Sequence, residues 1–129
     1  MKKPSLIAVI FASLVIGGCG TSVETGSIPG KAGGKPQANA RSVALIAKNF
    51  EYSLSRIKIK VGEEIALKLK SDDNAHDFAV DGLGKIATVS GDSTVTRRLR
   101  VDKLGRYTFF CTLPGHRDGG MEGILVVKR

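Results

Sequence analysis

Apolar side chains recur at every second position from Ser42 onward. Val43, Leu45 and Ala47 mark a first strand. Ile57, Ile59 and Val61 point one way while Lys58 and Lys60 point the other. After the turn Gly62-Glu63-Glu64 the pattern returns, with Ile65, Leu67 and Leu69 set against Lys68 and Lys70. A period of two is the mark of a strand with one dry face and one wet face. Phe78 and Val80 suggest another strand beside His76. Thr94 to Val101 turns Leu99 and Val101 inward and Arg98 and Arg100 outward. Tyr107 to Cys111 and Gly123 to Val127 close the series. Asp72-Asp73-Asn74, Asp81-Gly82, Gly91-Asp92 and Leu104-Gly105 are turn signals between these runs. Residues 84–92 carry the weakest pattern and admit a short helical turn. No long stretch keeps a helical period. The expectation is an all-β domain over residues 42–129, a Greek-key β-sandwich or barrel of about seven to eight strands.

The chain before Ser42 has a different character. Lys2 and Lys3 precede an apolar run from Leu6 to Ile16, and Gly17-Gly18-Cys19 follows it. This is the layout of an export signal, and the run is too short to span a bilayer as a stable helix. Ile-Gly-Gly-Cys resembles a bacterial lipoprotein cleavage box. That resemblance implies a signal peptide at 1–18, with Cys19 as the lipidated first residue of the mature protein. Two or more acyl chains would attach it stably to a membrane. The plainer alternative is an ordinary secretory signal that happens to contain a Cys. Residues 20–41 are rich in Gly, Ser, Ala, Pro and Lys, so 19–41 reads as the lipidated Cys and a flexible tether.

Export changes how the cysteines are read. The compartment outside the cytoplasm is oxidising and favours disulfides. The chain has two Cys, so with Cys19 acylated Cys111 has no partner. A lone thiol there needs an explanation. Cys111, His116 and Met121 follow one another at equal spacing in Tyr-Thr-Phe-Phe-Cys-Thr-Leu-Pro-Gly-His-Arg-Asp-Gly-Gly-Met. His76 stands upstream. The chain has two His and two Met, one Met being the initiator, so the mature domain keeps no His, Cys or Met outside these four positions. Two imidazoles, a thiolate and a thioether are the donor set of a mononuclear blue-copper site, able to hold both Cu(I) and Cu(II). Taken singly, His76 also reads as a turn residue, Met121 as core filler and Cys111 as a small buried apolar group. The joint spacing after an aromatic strand favours metal.

Strand alternation puts Tyr107, Phe109 and Cys111 on one face, so the thiol points into the sandwich. Pro114-Gly115 bends the chain so that His116 returns beside Cys111, and Gly119-Gly120 permits a second bend toward Met121. His76 is expected from the opposite sheet, so that a metal would join the two sheets at one end.

The stretch Gly105 to His116, with Met121-Glu-Gly, resembles the ligand loop of azurin. Its His-to-Met spacing is similar to that of auracyanin, and both belong to the cupredoxins with plastocyanin. Asn49 to Val61, with Phe50, Tyr52, Ile57 and Ile59, resembles the opening strands of that family. The resemblance implies one copper per domain, with His76, Cys111 and His116 as close ligands and Met121 as a weak axial one. It implies His116 as the electron port and Leu113 and Pro114 as part of the apolar rim where a redox partner docks. The main-chain oxygen of Ala75 falls where azurin offers a further axial contact. Asp77 stands where azurin and plastocyanin commonly have an Asn bonded to the Cys loop, here at Thr112. Ionised, it would favour Cu(II); protonated, it would mimic the amide; or it faces water. No azurin-type disulfide can form.

Charge adds little. The chain carries a formal +8, of which about +4 belongs to the domain. That suits a solvated surface, an acidic partner or anionic lipid beside the anchor. An exported chain with no recognition motif is not a nucleic-acid binder. Multicopper oxidases and copper nitrite reductases need further His clusters, and a Cu-A site needs two Cys in the loop. The expectation is therefore no enzyme, but a monomeric, lipid-anchored, extracytoplasmic electron carrier. Its partners would be a cytochrome or a membrane electron-transfer complex. The alternative is an extracytoplasmic copper-delivery protein.

Overall fold

The computed structural model describes residues 27–129, and the segment 1–18 expected to be a signal peptide and Cys19 lie outside the described residues. Ten strands follow in chain order among the described residues: β1 Gly30–Ala32, β2 Arg41–Lys48, β3 Glu51–Tyr52, β4 Arg56–Lys60, β5 Ile65–Ser71, β6 His76–Val80, β7 Gly84–Val89, β8 Thr94–Val101, β9 Gly105–Phe110 and β10 Glu122–Lys128. They form two five-stranded sheets, ordered β1-β8-β5-β2-β3 and β4-β10-β9-β6-β7. Two pairs are parallel, β2 with β5 and β4 with β10, and the rest are antiparallel. Parallel neighbours need a crossover. Here the chain supplies it by passing into the other sheet between them. The result is the all-β sandwich that the alternation predicts.

The dry faces meet in one core. Leu45, Ile65, Leu67, Leu69, Leu99 and Val101 come from the first sheet, and Phe78, Phe109 and Leu125 from the second. All are fully buried, and each alternates with exposed or half-buried neighbours except in β6, where every residue is buried. Phe78 and Phe109 stack at 5.1 Å, and Tyr52 meets both edge-on. Phe78 and Phe109 lie in the second sheet, beside the strand ends that carry the site, and Tyr52 reaches them from β3 of the first.

Three local expectations change. Residues 84–89 form a strand rather than a helical turn. The register shifts between Phe78 and Ala79, so Ile86 and Ala87 are buried in succession and the period of two is broken. Val61 is exposed, because β4 ends at Lys60. Within the segment read as tether, Gly30–Ala32 pairs with β8, and Ile28 packs against the core. The Ile28 N–H donates to Gly82 O at 2.9 Å and the Asp102 N–H to Pro29 O at 2.8 Å. Backbone pairing holds this segment and needs no apolar pattern. A Cβ at Gly30 would sit 2.3 Å from Arg100 O, so the approach requires glycine.

Candidate metal centre

His76 opens β6, Cys111 follows the end of β9, and Met121 immediately precedes β10. These strand ends meet at one end of a single sheet. The expectation that His76 comes from the opposite sheet is therefore overturned, because β6 lies in the same sheet as β9 and β10. The chain crosses between sheets upstream of it, through residues 72–75, and β6 lies beside β9 with Ala79 opposite Phe110 and Val80 opposite Phe109. Continued toward the loop, that register faces Asp77 with Thr112.

The loop from Cys111 to Met121 closes on itself. The Cys111 N–H donates to Met121 O at 3.1 Å, and the Met121 N–H to His116 O at 3.1 Å. The His116 N–H donates to Leu113 O at 3.1 Å, and the Gly119 N–H to Gly115 O at 3.0 Å. Gly115 and Gly120 have φ of 78° and 102°, which side-chain-bearing residues rarely adopt. The two bends expected at Pro114-Gly115 and Gly119-Gly120 are thus present. Cys111 and Met121 are fully buried, while His116 is half-buried.

Donor atoms of His76, Cys111 and His116 lie within 4.8 Å of one another. Cys111 Sγ is 3.5 Å from His116 Nδ1, and the two imidazole centroids are 5.2 Å apart. His76 Nδ1 is buried and has no hydrogen-bond partner. An unpartnered buried nitrogen costs free energy unless something binds it. A soft thiolate beside two imidazoles fits copper. Its binding there would satisfy the orphaned nitrogen.

Asp77 is buried rather than facing water, with its side chain 1% exposed. Its carboxylate accepts from Thr112 N–H at 2.6 Å and from the Thr112 hydroxyl, and Lys85 Nζ stands 3.3 Å away. Burial pushes its pKa up. The Thr112 bonds and Lys85 outweigh burial and hold it below the usual carboxylate value. It thus replaces an amide with an ionised, paired acceptor. Its own N–H points at Cys111 Sγ at 3.5 Å. Burial raises the Cys111 pKa, and the Asp77 and Leu113 N–H groups partly offset this. The free thiol is accordingly protonated at neutral pH, and a metal must displace that proton.

Leu113 is half-buried and Pro114 exposed, both in the loop that ends at His116. Ala75 is exposed and precedes His76. Four residues escaped the sequence reading. Phe50, expected in an opening strand, is 48% exposed and meets His116 edge-on at 4.7 Å. Arg117 stacks over Phe110 at 4.0 Å and pairs with Glu122 at 3.2 Å, clasping the loop to β9 and β10. Lys85 pairs with Asp77. Asp73 bonds His76, and nothing in the run Asp72-Asp73 tells which of the two would do so. No candidate metal cluster besides His76, Cys111 and His116 occurs among the described residues.

The cupredoxin-like domain family model matches residues 7–127. Cytochrome c oxidase subunit 2 of Thermus thermophilus is 31% identical over 93 residues, covering 70% of this chain and 67% of the relative. Auracyanin B superposes with a TM-score of 0.67 at 16% identity, over 80% of this chain and 97% of its own. An auracyanin from Roseiflexus castenholzii gives 0.60 at 20% identity, over 70% and 98%. At such identities the two structures speak for the fold alone. With a family match along nearly its whole length, the chain belongs to the cupredoxin-like family, and its donor cluster fits one copper per domain.

Proposed function

We propose that the protein carries single electrons between redox partners through a mononuclear copper site, with no substrate transformed. The supporting observation is the cluster itself: one thiol and two imidazoles within 4.8 Å at the end of a rigid sheet. In this reading His76, Cys111, His116 and Met121 are the residues that would hold the copper. Bound copper supplies a one-electron couple between Cu(I) and Cu(II). The chain's task is to keep the donors in place during that change. Strand ends fix His76 and Cys111, and the hydrogen-bonded loop fixes His116 and Met121.

His116, half-buried beside Phe50 in the loop that carries Leu113 and Pro114, is the point of exchange with a partner. The likeness to a cytochrome c oxidase subunit supports a membrane redox complex or a cytochrome as that partner. Cys111 is the only Cys in the loop, which supports a mononuclear rather than a binuclear centre. In the same reading Cys19 carries a lipid anchor outside the cytoplasm, and residues 20–26 join it to the folded domain. Protein-film voltammetry tests the carrier role against copper delivery. A carrier gives a reversible one-electron wave and keeps its copper beside a Cu(I) chelator. A delivery protein loses copper to the chelator within the experiment.

A further inference from the structure

An imidazole that holds a metal through one nitrogen leaves the other free for a second partner. At His76 a carboxylate takes it. Nε2 lies 2.6 Å from Asp73 Oδ1, in a ring only 2% exposed. An ionised carboxylate only accepts, so the proton sits on Nε2. Nδ1, buried and without a partner, is then left with its lone pair free. Asp73 is held in turn. The Asn74 N–H donates to the same oxygen at 2.7 Å, and the Asn49 N–H donates to the other oxygen at 2.8 Å. Asn49 and Phe50 have φ of 50° and 60°, a sterically costly conformation that persists only with outside support. The Asp73 bond supplies that support, and the turn sets the Phe50 ring edge-on to His116.

We propose that Asp73 is a positioning residue for the copper site: one oxygen fixes the His76 tautomer, and the other pins the Asn49–Phe50 turn that packs against His116. The inference rests on His76 and His116 being the ligands. Carboxylates behind a ligating imidazole orient the ring and raise its basicity, and losing one typically weakens metal binding about 10–100-fold. A role confined to the turn would change stability and leave the imidazole proton where it is.

The test is long-range proton–nitrogen NMR of the copper-free protein, followed by titration with Cu(II) alone. Wild type is expected to show His76 protonated on Nε2 and bare on Nδ1. Asp73→Ala is expected to mix the tautomers and weaken Cu(II) binding by about 10–100-fold. Asp73→Asn keeps an acceptor oxygen, so it should restore the tautomer and part of the affinity. A wild-type His76 protonated on Nδ1 would overturn the proposal, as would a folded Asp73→Ala with tautomer and affinity unchanged. If Asp73→Ala does not fold, the wild-type spectrum and Asp73→Asn still decide. If wild type takes up no Cu(II), the copper reading fails, and the tautomer still settles what Asp73 does.

Discussion

The two histidines of one site are held in opposite ways. His76 is a strand residue, 2% exposed, with a carboxylate behind it and Val89 of β7 paired beside it. His116 is a loop residue, half-buried, steadied by loop hydrogen bonds and by the exposed ring of Phe50. The first is built into the fold. The second is carried to the surface on a loop that the fold only brackets. A site that must hold a metal yet exchange electrons with another molecule needs both: fixed donors inside and a donor edge within a partner's reach.

If the strands that bracket the loop give the His116 half its rigidity, disturbing them should do the most damage. A Cβ at Gly123 would lie 2.2 Å from Phe109 Cζ and 2.7 Å from Ser55 O. Gly123→Ala should therefore cost about 2–4 kcal/mol in urea unfolding of the copper-free protein, as overpacking without room to relax does. His76→Ala empties a buried position and should cost about 2–3 kcal/mol. His116→Ala should cost less than about 1 kcal/mol, because a half-exposed loop residue gives up little packing. Equal costs for the two histidines would break the comparison. Phe50→Ala should change stability by less than about 0.5 kcal/mol. Its effect should appear instead as slower electron exchange with a physiological partner, read by stopped-flow. The smallest effect lies away from the site. Arg41 hydrogen-bonds Glu63 at 2.8 Å and holds its pKa below the usual value. A depressed carboxylate stabilises the fold above its unfolded pKa and loses that contribution as pH falls below about 4.3. For an exposed, solvent-screened pair the loss should be at most about 0.5 kcal/mol, and smaller in Arg41→Ala, where only the Lys60 N–H and charge still hold Glu63 down.

The strands were legible because burial on one face writes itself as alternation. What alternation cannot record stayed hidden. β1 has no apolar residue beyond one alanine and is held by backbone bonds alone. β7 lost its period to its own extra residue, Ile86, which stands unpaired between the partners of Phe78 and Ala79. The sheet to which His76 belongs depended on where the chain crosses over, and the polar run 72–74 could equally have turned back within one sheet. The donor set was legible because its residue types occur nowhere else in the domain. Its supports were not. Asp72 and Asp73 are identical in sequence terms, yet one pairs with Lys70 at 2.7 Å and the other with His76. Asp77 read equally well as buried or wet until Thr112 and Lys85 were seen around it.

The central claim is a copper ion bound through Cys111 beside two histidines. Visible absorption and EPR of the protein after Cu(II) addition test it most directly. An intense thiolate-to-copper charge-transfer band with a narrow copper hyperfine splitting is predicted, with both lost in Cys111→Ala. Weak, ordinary Cu(II) features that Cys111→Ala leaves unchanged would contradict it.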